Sequence, residues 1–123
     1  MICGIGTDLV KIERILEALK RDGSRFEERI CTPPEIAAAP ASPRRRAEYF
    51  AGRWAAKEAA VKALGCGFGS RCQTLDLEVL PEPSGAPVLH ILKPGLTADN
   101  ARCHLSISHD GEYAVATVVI ETA

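Results

Sequence analysis

The sequence lacks several features that would place it in a specialised class of protein. Its 123 residues contain no apolar run approaching the roughly 20 residues of a membrane-spanning helix. No basic stretch leads into an apolar one at the N-terminus, as it would in a signal peptide. Aromatic residues make up 5% of the chain and the formal net charge is -1, which disfavours nucleic-acid binding. We therefore expect neither a membrane nor a nucleic acid as a partner.

The cysteines form no recognisable framework. Their number is odd and no Cys-x-x-Cys occurs, so neither a set of disulfides nor a zinc site is indicated. Reduced thiols fit a reducing compartment best, and we predict a cytoplasmic protein. The five cysteines are Cys3, Cys31, Cys66, Cys72 and Cys103.

The order of hydrophobic patterns predicts an α+β fold in one domain, residues 1–123. Helical spacing dominates the first half and strand-like alternation the second, so we expect an antiparallel sheet packed with a long central helix. The predicted helices are Ile12 to about Gly23, Phe26 to Ile30, a capping box at Thr32–Glu35, Arg44 to Leu64, and Leu96 to Arg102. The predicted strands are residues 2–10, which should be buried, then Leu75–Leu80, Val88–Leu92, Cys103–Ser108 and Tyr113–Ile120.

Two carboxylates and a lysine suggest phosphoryl chemistry. Asp8 closes the predicted first strand, while Glu58 and Lys62 lie one turn apart on the long helix. Oxygen ligands on two elements beside an ammonium group suit Mg²⁺ and a polyphosphate. Two plainer interpretations remain open at this point. Asp8 is also a typical helix N-cap, and a Glu–Lys pair of this spacing commonly stabilises a solvated face by ~0.2–0.5 kcal/mol.

The remaining polar residues of the long helix have equally open interpretations. The helical period places Phe50 and Val61 in a core stripe, together with Trp54 and Leu64. Arg53 and Lys57 lie off that stripe and are predicted to be surface residues. Arg44–Arg46 is either a solvated helix start or a phosphate contact, and His109 is either a turn residue or part of a site.

These segments together resemble the holo-[acyl-carrier-protein] synthases, the short type of 4′-phosphopantetheinyl transferase. The resemblance covers nearly the whole chain, and its most specific part is Trp-Ala-Ala-Lys-Glu-Ala within the long helix. Two departures are mild: Ala86 stands where lysine is common, and residues 37–43 are unusually rich in Ala and Pro. The matching stretches are Gly4–Ile15, Arg29–Glu35, Phe50–Gly65 and His104–His109.

The resemblance implies a Mg²⁺-dependent transfer of the phosphopantetheine arm of coenzyme A to a serine of an apo-acyl carrier protein. Adenosine 3′,5′-bisphosphate is released, and the product serves fatty acid or polyketide biosynthesis. Asp8 and Glu58 are then the metal ligands, and Lys62 joins them as a catalytic residue. The base for the serine is either Glu58 or a metal-bound water.

The resemblance also implies partners and further contacts. Coenzyme A would be bound by Arg45, Arg53, Lys62 and His109. A homotrimer with sites between protomers is typical of the family. Basic residues on and after the first helix would dock the acidic carrier protein; they are Arg14, Arg21 and Arg25.

Two other functions compete with this one. The first is a module that binds coenzyme A or a nucleotide without transferring anything, which would need the phosphate contacts but not both Asp8 and Glu58. The second is nucleic-acid binding through Arg44–Arg46, which the near-neutral charge disfavours.

Overall fold

The structure, a computed structural model, describes residues 1–123 and consists of four helices and two antiparallel sheets. The predicted α+β class is confirmed. The helices are α1 (Ile12–Asp22), α2 (Ser24–Ile30), α3 (Pro33–Ala37) and α4 (Pro43–Leu64). The strands are β1 (Ile2–Lys11), β2 (Leu77–Pro81), β3 (Pro87–Ile91), β4 (Arg102–Asp110) and β5 (Tyr113–Glu121), and a 3₁₀ turn, Thr74–Asp76, precedes β2.

The larger sheet has the strand order β1-β5-β4, so the last strand lies at its centre. Ala116 of β5 pairs with Asp8 on one side and with Ile107 on the other. The strands β2 and β3 form a separate hairpin. Asp8 and Ile107 therefore lie on opposite edges of the three-stranded sheet.

Helix α4 crosses the inner face of this sheet and packs against all three strands. A Cβ atom on Gly52 would lie 3.0 Å from the Ile107 side chain of β4, whereas one on Gly4 would lie 2.1 Å from the carbonyl oxygen of Ala63. The first half of α4 thus lies near β4 and its last turns lie near β1. Such close approach is possible because the buried positions of α4 are mostly alanine. The helix begins with Pro43 and ends at Gly65, which has a φ of 77°.

Two expectations about secondary structure are wrong. The first strand is buried on one face only, since Ile5 and Leu9 on the other face are 67% and 63% exposed. No helix forms over Leu96–Arg102. Gly95 has a φ of 85° there, and Asp99 and Asn100 favour turns.

No helix of the structure is both long enough and apolar enough to span a membrane.

Candidate active site

Asp8 and Lys62 meet where the last turns of α4 lie against β1. The alternation of β1 puts Asp8 on the same face as Gly4 and Gly6, towards the helix. Lys62 Nζ donates to the carbonyl oxygen of Thr7 at 2.9 Å and lies 3.2 Å from Asp8 Oδ1. Asp8 is within the strand, three residues before Lys11, which is the N-cap of α1. The N-cap interpretation of Asp8 is therefore wrong.

Glu58 lies one helical turn before Lys62, and its electrostatic environment is set by burial and by a second carboxylate. Burial raises the pKa of Glu58, the Asp8 carboxylate raises it further, and Lys62 opposes both effects. The ammonium group of Lys62 forms its ion pair with Asp8 rather than with Glu58. The simple Glu58–Lys62 surface pair is therefore not what the structure contains. Two adjacent carboxylates of this kind attract a cation.

Both carboxylates line a cavity of about 620 Å³ between β1, α1, α2 and α4. Arg14 and Arg21 of α1 line the same cavity, whereas Arg25 is exposed and lies outside the lining. The apolar part of the wall consists of Leu9, Val10, Ile15, Ala18, Phe26, Ile30 and Trp54. The cavity thus places two basic side chains, a third carboxylate (Glu17) and a mostly apolar wall beside Asp8 and Glu58.

A second cavity, of about 220 Å³, contains the other predicted phosphate contacts: Arg45, Arg53 and His109 all line it. The Arg53 guanidinium lies 4.0 Å from the ring centre of Tyr49, and its buried Nε has no hydrogen-bond partner. A buried donor without a partner is uncommon in folded proteins. Two arginines and a histidine beside one cavity suit an anion, although Glu48 lines the same cavity.

The three consecutive arginines at the start of α4 have different surroundings. Arg46 makes a bidentate pair with the Glu27 carboxylate at 2.7 and 2.8 Å. Arg44 donates to the carbonyl oxygen of Gly111 and lies 3.6 Å from Glu48. Only Arg45 lines the second cavity. The phosphate contact of this run stays a prediction, and Arg45 is its best-placed member.

The two cavities share no lining residue. One lies where α4 meets β1, and the other where α4 meets β4. A single chain consequently does not bring Arg45, Arg53 and His109 together with Asp8 and Glu58.

The residues at the first cavity fit a magnesium ion. No group of three or more His, Cys, Asp or Glu side chains is arranged for a metal, so a site built from protein ligands alone is absent. Mg²⁺ usually takes one or two carboxylates and completes its shell with substrate phosphates and water. Asp8 and Glu58 supply that number.

Sequence reasoning missed a buried ion pair next to Glu58. Lys57, predicted to lie on the surface, is fully buried, and its Nζ lies 2.8 Å from Glu35 Oε1. The prediction failed because only one helix face was assigned to the core, whereas α4 is enclosed on several sides. The available signal was the run of alanines around Lys57, which allows neighbouring elements to approach from more than one direction.

Comparisons with known proteins agree with this architecture. Residues 4–118 match the model of the 4′-phosphopantetheinyl transferase superfamily. The chain belongs to this superfamily. Among curated relatives of this transferase, the holo-[acyl-carrier-protein] synthase of Geobacillus kaustophilus is 48% identical over 122 residues, covering 98% of this chain and 90% of the relative. That of Shouchella clausii is 46% identical and covers 99% of this chain and all of the relative.

Solved structures of superfamily members have the same fold. A holo-(acyl-carrier-protein) synthase from Bacillus anthracis, in complex with CoA (3′,5′-ADP), has a TM-score of 0.83 and 41% identity, covering 100% of this chain and 99% of the other. The Helicobacter pylori enzyme in complex with coenzyme A has a TM-score of 0.84 and 36% identity, with coverages of 95% and 99%. The resemblance found in the sequence is confirmed.

Proposed function

We propose that this chain is a holo-[acyl-carrier-protein] synthase, which transfers 4′-phosphopantetheine from coenzyme A to a serine of apo-acyl carrier protein. The observation that carries the proposal is the meeting of Asp8, Glu58 and Lys62 at one end of α4, in a chain of the transferase superfamily. A module that only binds coenzyme A has no need for two adjacent carboxylates beside an ammonium group.

We infer that Asp8 and Glu58 hold Mg²⁺ together with the pyrophosphate of coenzyme A. Mg²⁺ held there would neutralise charge that develops on the transferring and leaving phosphates. The serine Oγ attacks the β-phosphorus and loses its proton, the bond from that phosphorus to the bridging oxygen breaks, and adenosine 3′,5′-bisphosphate leaves. Lys62, which is half exposed beside Asp8, supplies a positive charge to the leaving phosphate. The base for the serine proton is either Glu58 or a water held at the metal site.

The acidic carrier protein is proposed to dock beside the first cavity. Arg14 and Arg21 line it together with the carboxylates, so a partner bound to them brings its serine close to the metal site. Arg25 lies further along the same basic surface. Complementary charge of this kind mainly accelerates association and sets orientation.

We propose that the active enzyme is a homotrimer whose sites are shared between protomers. Arg45, Arg53 and His109 have the chemistry of a coenzyme A phosphate site but lie in the cavity that Asp8 does not reach. The outer face of the sheet also exposes an apolar patch, formed by Ile5, Leu9, Tyr113 and Val115. Contiguous apolar patches of this kind commonly mark protein interfaces. A second protomer on this patch would bring its own phosphate residues to the carboxylates.

Free cysteines throughout the chain support a reducing, cytoplasmic location. We propose fatty acid or polyketide biosynthesis as the pathway served, since both use carrier proteins that require the phosphopantetheine arm.

The transfer is tested by mass spectrometry of apo-acyl carrier protein incubated with coenzyme A and Mg²⁺. The expected result is a mass gain equal to one phosphopantetheine group on a single serine, with release of adenosine 3′,5′-bisphosphate. Glu58→Gln is the matched control because it keeps the side-chain shape and removes the charge. Coenzyme A binding without any modification of several carrier proteins would support the binding module instead.

Shared sites are tested by mixing two inactive variants. Asp8→Asn damages the first cavity and Arg53→Glu the second, so each homo-oligomer is inactive. If sites lie between protomers, refolding the two variants together restores activity, because some sites then combine two intact halves. Mixed oligomers without any activity would contradict the shared site.

A further inference from the structure

The buried pair of Lys57 and Glu35 has no part in the chemistry described above, yet it lies immediately beside Glu58. Both side chains have 0% exposure. Lys57 Nζ donates to Glu35 Oε1 at 2.8 Å and to the carbonyl oxygen of Ile30 at 2.7 Å. A buried charge is costly unless it is paired and hydrogen-bonded. Lys57 therefore occupies a position that it cannot leave without a large loss of stability.

The partner carboxylate is held equally firmly. Glu35 Oε1 also accepts from the backbone N–H of Thr32, and Oε2 accepts from the backbone N–H of Val79, both at 2.8 Å. Glu35 thus connects the start of α3, the strand β2 and, through Lys57, the helix α4. Three separate elements converge on one carboxylate.

The buried face of α4 is built mostly from small residues. Six of its ten buried residues are alanines and one is glycine. Its last turns lie closely on β1, where backbone carbonyl oxygens of the helix approach Gly4 and Gly6 and Lys62 reaches Thr7 and Asp8. Small side chains on a flat surface interlock weakly, whereas a buried polar pair can fix the register of a helix. Arg46 of α4 also pairs with Glu27, but both of those side chains are partly exposed, whereas the pair of Lys57 and Glu35 is fully buried.

We propose that Lys57 and Glu35 are a positioning pair, which fixes the rotation of α4 and thereby places the Glu58 carboxylate opposite Asp8. Neither side chain touches a substrate in this role. Because Glu58 directly follows Lys57, any rotation that moves one of them also moves the other. The proposal rests on the transferase function above.

The test compares Lys57→Met, Glu35→Gln, the double variant and Val61→Ala. Lys57→Met keeps the length of the side chain and leaves the Glu35 charge unpaired. The double variant removes both charges and so should recover much of the lost melting temperature, but it lacks the ammonium group that fixes the rotation. Val61→Ala is the control, because it shortens a buried side chain one helical turn from Lys57 and leaves both charges of the pair in place. All assays are run where circular dichroism shows each variant to be folded.

Two readouts separate positioning from simple stability. We expect kcat to fall about 10- to 100-fold in Lys57→Met and in the double variant, with little change in the KM for the carrier protein. Mn²⁺ affinity, measured by electron paramagnetic resonance in the presence of coenzyme A, should weaken about tenfold or more. Val61→Ala should have a lower melting temperature but an unchanged kcat and an unchanged Mn²⁺ affinity. If kcat and Mn²⁺ affinity instead follow melting temperature across all four variants, the pair only stabilises the fold. If the wild-type chain transfers nothing, the proposed function itself is rejected. That outcome is distinct from a failure of the positioning role, which requires an active wild type.

Discussion

A Cβ atom on Gly6 would lie 2.0 Å from the carbonyl oxygen of Ala59. Strand β1 and helix α4 are therefore in backbone contact, which no residue with a side chain at this position allows. Lys62 follows Ala59 by three residues and reaches across the same contact to Asp8. The glycines of the first strand thus bring the lysine and the carboxylate together.

Replacing this glycine should damage stability and activity together. In Gly6→Ala the helix must move away from the strand, and we expect a loss of about 3 kcal/mol in the free energy of unfolding, measured by chemical denaturation. Gly69→Ala is the control, since a Cβ atom there meets nothing within 4 Å and no positive φ is required. A Gly6→Ala protein as stable and active as Gly69→Ala would show that the contact is looser than described.

Removing either proposed metal ligand should lower turnover while the fold survives. Asp8→Asn and Glu58→Gln each remove one anionic oxygen, and we expect kcat to fall by about two orders of magnitude or more. The Mg²⁺ concentration needed for half-maximal rate should rise as well. Rates are measured over a Mg²⁺ titration, with circular dichroism as the folding control. Near-normal transfer by both variants at limiting Mg²⁺ would make the metal assignment wrong.

Lys62 should act mainly in the transition state. Its side chain is half exposed and pairs with Asp8 at the surface, so Lys62→Ala should cost little stability. Charge develops on the leaving phosphate only as the bond breaks, and kcat should therefore fall more than the KM for coenzyme A rises. Steady-state kinetics with coenzyme A as the varied substrate measure both constants. A loss confined to KM would indicate ground-state binding.

Arg14 should recognise the carrier protein rather than coenzyme A. Arg14→Glu reverses a charge at the edge of the first cavity, so the KM for the carrier protein should rise and its salt dependence should weaken. Arg25→Glu serves as a comparison. It should raise the KM for the carrier protein less, because Arg25 does not line the cavity. Both KM values are measured at two ionic strengths. An equal rise in the KM for coenzyme A would mean that Arg14 supports the catalytic site itself.

Stability should decrease at alkaline pH through Cys31. Burial, followed by the nearby Glu35 carboxylate, raises the pKa of this thiol from 9.0 to about 12. Between these values the unfolded chain releases the proton and the folded chain retains it. The free energy of unfolding then falls by about 1.4 kcal/mol for each unit by which the pH rises. The stabilisation is complete below pH 9 and is lost as the pH rises towards 12.

The contribution of this thiol is isolated by comparison with Cys31→Ala. The difference in unfolding free energy between the wild type and Cys31→Ala should shrink as the pH rises from 8 to 10, because alanine has no proton to lose. Urea unfolding at several pH values measures this difference. A constant difference across that range would show that Cys31 titrates normally in the folded chain.

The sequence by itself determined the α+β class and most element boundaries. These features depend on local signals: alternation, helical period, the Thr32–Glu35 capping box and glycines at helix ends. The capping box is present in the structure, with Thr32 N–H donating to Glu35. Family motifs added the candidate residues of the second cavity.

Only the tertiary structure decided which polar residues are buried and which cavities they share. Lys57 and Arg53 are both cations of the same helix, yet one is enclosed by α2, α3 and β2 and the other stacks on Tyr49. Arg45 and Arg46 are neighbours in sequence, and one lines a cavity while the other pairs with Glu27. Helical spacing specifies the direction of a side chain, but its environment depends on elements distant in sequence. Those contacts become defined only when the chain is packed.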